Sequence, residues 1–175
     1  MRSEGTHFGA VLRAIIYQQL SGKAAATIHG RVAAIYDGRV PSPALLLATA
    51  DSELRSAGLS RQKLDYLRSL AGHCSDGSIP LARLSRLPDD EIIERLTEVR
   101  GVGRWTAQMF LMSRLGRLDV LPDLDLGIQR GLQIAYALPA MPKPVEVLRM
   151  GEHWRPYRSV ASWYMWRVAD GDVAL

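Results

Sequence analysis

One cysteine, Cys74, stands among the 175 residues. That excludes an internal disulfide framework, a multi-cysteine zinc site and a four-thiolate iron–sulfur cluster, and it points to a reduced interior. Histidine is almost as scarce: His7, His29, His73 and His153 lie far apart with none of the local spacings that metal ligands use. No metal site is therefore expected among the side chains. Long apolar runs are also missing. The longest near the start, residues 8–20, is interrupted by Arg13 and by Gln18-Gln19. With no basic n-region and no small-residue cleavage site, it reads neither as a signal peptide nor as a membrane span. A soluble, cytoplasmic chain with no membrane partner is expected. Alternating β-branched stretches are few, which argues against sheets, and there is no internal repeat, low-complexity tract or long linker.

What is present is enough for a core: 47% of the residues are apolar, and the length suits one domain over residues 1–175 or a compact two-lobed one. Twenty-two Lys+Arg against 18 Asp+Glu leave a net charge of +4 and a pI near 9.5. This mild bias towards anionic partners decides nothing alone. Apolar residues recur at helical spacing almost throughout, so the fold class is all-α. Phe8, Val11, Leu12, Ile15, Ile16 and Leu20 form one face, and residues 23–36 a second helix that Asp37-Gly38 stops. Ser42 is placed to cap a helix with Pro43 at its first position, Asp51 to cap a short one ended by Gly58, and Ser60 to cap residues 61–71. Pro88-Asp89-Asp90 opens residues 91–98, with acids where the helix dipole favours them. Further helices are expected at 104–115 and 126–138, and over 145–168 as one or two. About ten helices suggest an orthogonal bundle in two lobes, with an active-site cleft between them.

Between two of these helices lies "RGVGRW", residues 100–105. A phosphate-binding P-loop requires G-x-x-x-x-G-K-[ST], and a dinucleotide fingerprint requires a third glycine where Thr106 stands. Two readings are left. One is a helix-ending glycine followed by a tight turn. The other uses the freedom of Gly101 and Gly103 to bring backbone N–H groups and the next helix N-terminus onto one phosphate oxygen, a grip that positions nucleic acid without reading its bases. Arg100 and Arg104 flank the turn, with Val102 between the glycines. The arrangement looks like a helix–hairpin–helix DNA-binding element, with Leu96 and Val99 before the turn and Ala107, Phe110 and Leu111 after it.

Downstream, "DVLPDLDLGIQRG" sets Asp125 at the start of a helix, twenty residues beyond Trp105. Asp123 or Asp125 can simply cap that helix. The hairpin followed at this distance by a proline-containing loop and an aspartate resembles, however, the helix–hairpin–helix-GPD superfamily of DNA glycosylases, and within it the alkylation-repair branch typified by 3-methyladenine DNA glycosylase II. The resemblance runs from residue 8 to about 168 through "FGAVLRAIIYQQLSGKAA", "GLSRQKLDYLRSLA", "VRGVGRWTA", "DVLPDLDLGIQRG" and "WRPYRSVASWYMWR".

The resemblance implies that Asp125 is the catalytic aspartate, with Asp119 and Asp123 as nearby controls. It sets Trp105 where lyase-competent relatives carry a nucleophilic lysine, so no Schiff base forms at that position. The implied activity is monofunctional hydrolysis of the N-glycosidic bond of an alkylated base. A base carrying positive charge leaves as a neutral molecule, so one anionic carboxylate can serve where ordinary glycosidases use two. The target nucleotide must be flipped out of the stack. By resemblance the "YQQLSG" loop enters the minor groove, with Leu20 as the wedge and Gln19 as the alternative; Leu20 could equally be a core leucine. Trp105 and Trp166 would wall the base pocket, attracting a cationic base through their ring faces, although Trp163 and Trp166 also have the spacing of a packing pair. Met109 and Leu126 stand where at least one relative has tyrosines. The expected partner is double-stranded DNA, met by a monomer. No organic cofactor is implied, but relatives often hold a Na or K ion in the hairpin through backbone carbonyls. The competing functions are a non-enzymatic binder of damaged or bent DNA and a bifunctional glycosylase/lyase.

Overall fold

The computed structural model describes residues 5–172. Among the described residues there are ten α-helices, two short 3-10 turns and no strand. The chain divides into two compact units, Met1–Ala107 and Gln108–Leu175.

The first unit holds α1 (His7–Tyr17), α2 (Gly22–Ala34), α3 (Pro43–Ala48), α4 (Asp51–Ser56), α5 (Arg61–Ser75) and α6 (Asp89–Thr97), and it contains the start of α7 (Arg104–Ser113). Thr6, Ser21, Ser42 and Ser60 cap α1, α2, α3 and α5, each accepting from the backbone N–H three residues on. Each such cap contributes about 1 kcal/mol. Asp51 does not cap. Ala50 holds the N-cap position of α4 and gives it no side-chain bond. The Asp51 carboxylate instead accepts from Arg68 Nη2 at 2.5 Å, and Arg68 also donates to the Leu46 and Thr49 carbonyls. The guanidinium thus draws the acid across to α5. The predicted face of α1 is buried at Phe8, Val11, Leu12, Ile15 and Ile16, and α1 packs on α2 and on α5, which buries Leu64, Leu67 and Leu70. Helix α1 stops three residues before Leu20, because Gln19 takes a left-handed conformation (φ 56°).

The second unit holds α8 (Leu126–Ala135), α9 (Pro144–Gly151) and α10 (Arg158–Ala169). Leu121, Ile128, Leu132 and Val147 form its core, with Met150, Trp154, Met165 and Trp166 packed against them. Helices α8 and α10 touch at the backbone: a Cβ at Gly131 would lie 2.1 Å from the Met165 carbonyl oxygen. Only glycine allows that approach.

Candidate active site

Asp125 is the N-cap of α8, and its Oδ1 accepts from the Ile128 N–H at 3.0 Å. A plain cap would end there. A second donor arrives from α10, where Trp166 Nε1 donates to the same oxygen at 2.8 Å. Gly127 makes room for it, since a Cβ there would lie 2.7 Å from Trp166 Cδ1 and 3.0 Å from Asp125 Oδ1. Two donors from different helices fix how the half-buried carboxylate is turned, the kind of preorganisation that electrostatic catalysis needs. On either side, Leu124 and Leu126 are 49% and 68% exposed. An apolar surface therefore borders the acid.

The two neighbouring acids hold the loop that delivers it. Asp123 is buried; its Oδ1 accepts from Gln108 Nε2 at 3.3 Å, and its carbonyl accepts from Gln129 Nε2 at 3.1 Å. Gln108 Nε2 also donates to the Leu121 carbonyl at 3.0 Å. Asp119 accepts from Arg158 Nε at 2.6 Å and from Arg155 Nη1 at 2.9 Å. Burial alone would raise its pKa, but the Arg158 hydrogen bonds and charge, helped by Arg155, outweigh it and hold Asp119 below the usual carboxylate range. Ser159 Oγ accepts from the Val120 N–H at 3.0 Å and so pins the next residue to α10.

The hairpin lies in the first unit, and its glycines differ. Gly101 has φ 78°, and a Cβ there would fall 2.1 Å from the Tyr66 ring. The Arg100 N–H donates to Ser69 Oγ at 3.1 Å, so the turn is seated on α5. Val102 is buried, and its N–H donates to the Val99 carbonyl at 3.0 Å; it packs beneath the turn rather than offering a surface. Gly103, at the entry to α7, would bring its Cβ within 4 Å of nothing. Its bare backbone is open to a ligand, between the exposed side chains of Arg100 and Arg104.

Trp105 is 43% exposed in the first turn of α7, and Met109 is half-buried one turn later. Leu20 is 38% exposed, so it is no core leucine, and Gln19 is exposed beside it. The Trp163/Trp166 pair divides. Trp166 turns to Asp125, while Trp163 lies exposed in a T-shaped pair with Tyr164 and with the Arg167 guanidinium 5.4 Å from its ring centre. Spacing did not single out Gly127, Gln108, Gln18 or Lys63. Only the repeat Gly127-x-x-x-Gly131, two glycines on one face of α8, hinted at a closely approaching helix. Cys74 is free, its thiol pushed up to about 12 by burial and then by the charge of Asp76. Among the described residues no group of three or more His, Cys, Asp or Glu is placed to hold a metal ion, and no helix is long and apolar enough to cross a membrane.

Residues 12–156 match the sequence family described as HhH-GPD superfamily base excision DNA repair protein. The chain is 38% identical over 161 residues to DNA-3-methyladenine glycosylase 1 of Schizosaccharomyces pombe, covering 91% of this chain and 71% of that protein. It is 31% identical over 167 residues to DNA-3-methyladenine glycosylase 2 of Escherichia coli, covering 89% of this chain and 55% of that one, little more than half its length. Its fold is similar to that of the S. pombe 3-methyladenine DNA glycosylase solved in complex with abasic DNA, with a TM-score of 0.85 at 36% identity, covering 100% of this chain and 87% of that one. A DNA-3-methyladenine glycosidase from Bacillus halodurans gives a TM-score of 0.88 at 38% identity, covering 95% and 76%.

Proposed function

Because the chain belongs to the HhH-GPD superfamily of base excision DNA repair proteins, we propose that it is a monofunctional DNA glycosylase. It flips alkylated bases of the 3-methyladenine and 7-methylguanine type out of double-stranded DNA and hydrolyses their N-glycosidic bonds. The observation that carries this reading is the Asp125 carboxylate, held on one oxygen by the α8 N-terminus and by Trp166 and bordered by exposed leucines.

The chemistry asks little more of the protein. An alkylated purine with a positively charged ring departs as a neutral molecule, so no acid need protonate it. The sugar left behind gains cationic character in the transition state. A fixed carboxylate facing it stabilises that charge and orients the water that attacks the anomeric carbon. The lone-pair-rich oxygens of Asp125 suit both tasks, and the apolar side chains of Leu124 and Leu126 limit competing water. Trp166 serves twice, positioning Asp125 through its N–H and offering its ring to the extruded base. At Trp105 there is no amine to form a Schiff base, so the strand is left intact at an abasic site.

Binding precedes chemistry. The open backbone at Gly103 and the α7 N-terminus accept a phosphate, Arg100 and Arg104 add ionic contact, and Leu20 fills the gap left by the flipped nucleotide. A monovalent cation in the hairpin fits main-chain oxygens alone. The Val99 and Gly101 carbonyls each accept one hydrogen bond, and a carbonyl oxygen has two lone pairs. The protein acts as a monomer.

The test is Asp125→Asn, which keeps the capping oxygen and removes the charge. Base release from methylated DNA, identified by mass, is expected to fall at least about a hundredfold, while binding to an abasic-site duplex survives. If the wild-type protein releases no 3-methyladenine or 7-methylguanine but still binds damaged duplex, it is a binder and not a hydrolase.

A further inference from the structure

Leu20 presents an apolar side chain to solvent from a loop of only four residues, 18–21, between α1 and α2. Such a loop has little of its own to keep it in place. The last carbonyls of α1 have no partners within the helix, and Lys63 supplies them. Its Nζ donates to the Ile16 carbonyl at 2.5 Å and to the Gln18 carbonyl at 2.8 Å, placing a cation where the helix dipole favours one. Lys63 is itself held in the first turn of α5, whose N-cap Ser60 accepts from its backbone N–H. Beyond Gln18 the chain turns sharply, because Gln19 adopts φ 56°, a conformation that a non-glycine residue keeps only when its surroundings enforce it. Ser21 then caps α2 and fixes the far end. The Gln18 side chain leaves this loop altogether: its Nε2 donates to the carbonyl of Gly101, in the hairpin, at 2.8 Å.

We propose that Gln18 and Lys63 are positioning residues, Gln18 fastening the Gln19-Leu20 loop to the hairpin and Lys63 fastening it to α5, on which the hairpin is seated, so that gripping the phosphate and driving the wedge between bases occur as one rigid event. The proposal rests on the glycosylase reading above. Neither side chain needs to touch DNA. Lys63 holds the end of α1 and the start of the loop through one carbonyl each, and Gln18 ties the loop to the hairpin through the Gly101 carbonyl. The wedge therefore sits at a set distance from the turn that carries Gly103. A loop free to move would lose the orientation gained when the hairpin docks, and each encounter would have to search again for the lesion.

The distinguishing measurement uses the full chain and two duplexes, one undamaged and one with 2-aminopurine beside a stable abasic-site analogue, so that fluorescence reports penetration of the stack. Gln18→Ala is expected to bind the undamaged duplex within about twofold of wild type. It should lower the equilibrium constant for stack penetration by about three- to tenfold, the worth of one hydrogen bond. Gln18→Glu, similar in size but unable to donate to a carbonyl, should lose as much. The cycle with Leu20→Ala separates positioning from general weakening: if Gln18 acts through the wedge, the double variant penetrates no worse than Leu20→Ala alone. Lys63→Met should show the same pattern, with a melting curve run alongside, and Lys63→Arg should recover most of the loss. Penetration unchanged in Gln18→Ala, or a Gln18 effect that adds in full to that of Leu20→Ala, overturns the proposal. A wild-type protein that neither releases alkylated bases nor raises the fluorescence brings down the glycosylase reading itself, and this inference with it.

Discussion

Adding one methyl group at Gly127 would place a carbon 2.7 Å from Trp166 Cδ1. Asp125 is held by the Ile128 N–H at the start of α8, so the indole must give way, and with it the second of the two bonds that orient the carboxylate. Gly127→Ala is therefore expected to keep its fold, since alanine is the better helix former by about 1 kcal/mol. Base release should nevertheless fall by about 10- to 100-fold, the scale of a catalytic group misplaced by an ångström. Trp166→Phe, which keeps an aromatic face and loses only the donor, should reproduce part of that loss; a Gly127→Ala protein as active as wild type would mean that the indole bond is incidental. The motifs in the sequence point to Asp125 and to Trp166 separately, but not to the bond between them. They are 41 residues apart, on helices brought together by the small residues of α8, and no spacing rule joins positions that meet only through tertiary packing.

At the scale of the element, the hairpin separates two glycines that look equivalent in "RGVGRW". Gly101 is fixed by φ 78° and by the Tyr66 ring, whereas Gly103 has an ordinary backbone conformation and open space around it. Gly101→Ala should destabilise the protein by about 2–4 kcal/mol, combining a left-handed backbone penalty with overpacking. Gly103→Ala should leave the melting temperature within a few degrees yet weaken binding to all duplexes about equally, since contact through main chain reads no base. Loss confined to one sequence in the Gly103 variant would contradict a backbone grip. The helices themselves were legible because their faces repeat at 3.6 residues and their serine caps are local, as at Ser42 and Ser60. Their ends were less so. Helix α1 stops at Tyr17 and not near Leu20, because Gln19 turns left-handed and Lys63 of α5 takes the Ile16 and Gln18 carbonyls; Asp51 fails to cap because Arg68 reaches it from another helix. Each departure has the same cause, a side chain from elsewhere in the fold satisfying a group that local pattern assigns to its own helix.

For the whole molecule, the number of cationic side chains that reach phosphates, and not the net charge of +4, sets how DNA affinity should respond to salt. Five of the 19 arginines, Arg68, Arg95, Arg155, Arg158 and Arg167, pair with Asp51, Glu91, Asp119 and Asp172. Neutralising a phosphate with a cationic side chain releases counterions and adds about −0.9 to the slope of log K against log salt. A backbone N–H brings no full positive charge and adds little. If the hairpin grips mainly through Gly103 and the α7 N-terminus, with Arg100 and Arg104 as the adjoining cations, the slope for undamaged duplex should be shallow, about −2 to −4. Arg100→Ala and Arg104→Ala should each flatten it by about 1. Gly103→Ala should instead lower the whole line and leave its slope unchanged. Fluorescence anisotropy titrations between 50 and 300 mM salt, roughly the range in which such slopes are read, distinguish the two. A slope steeper than about −6, insensitive to both arginines, would move the grip away from the hairpin and onto a broader basic surface.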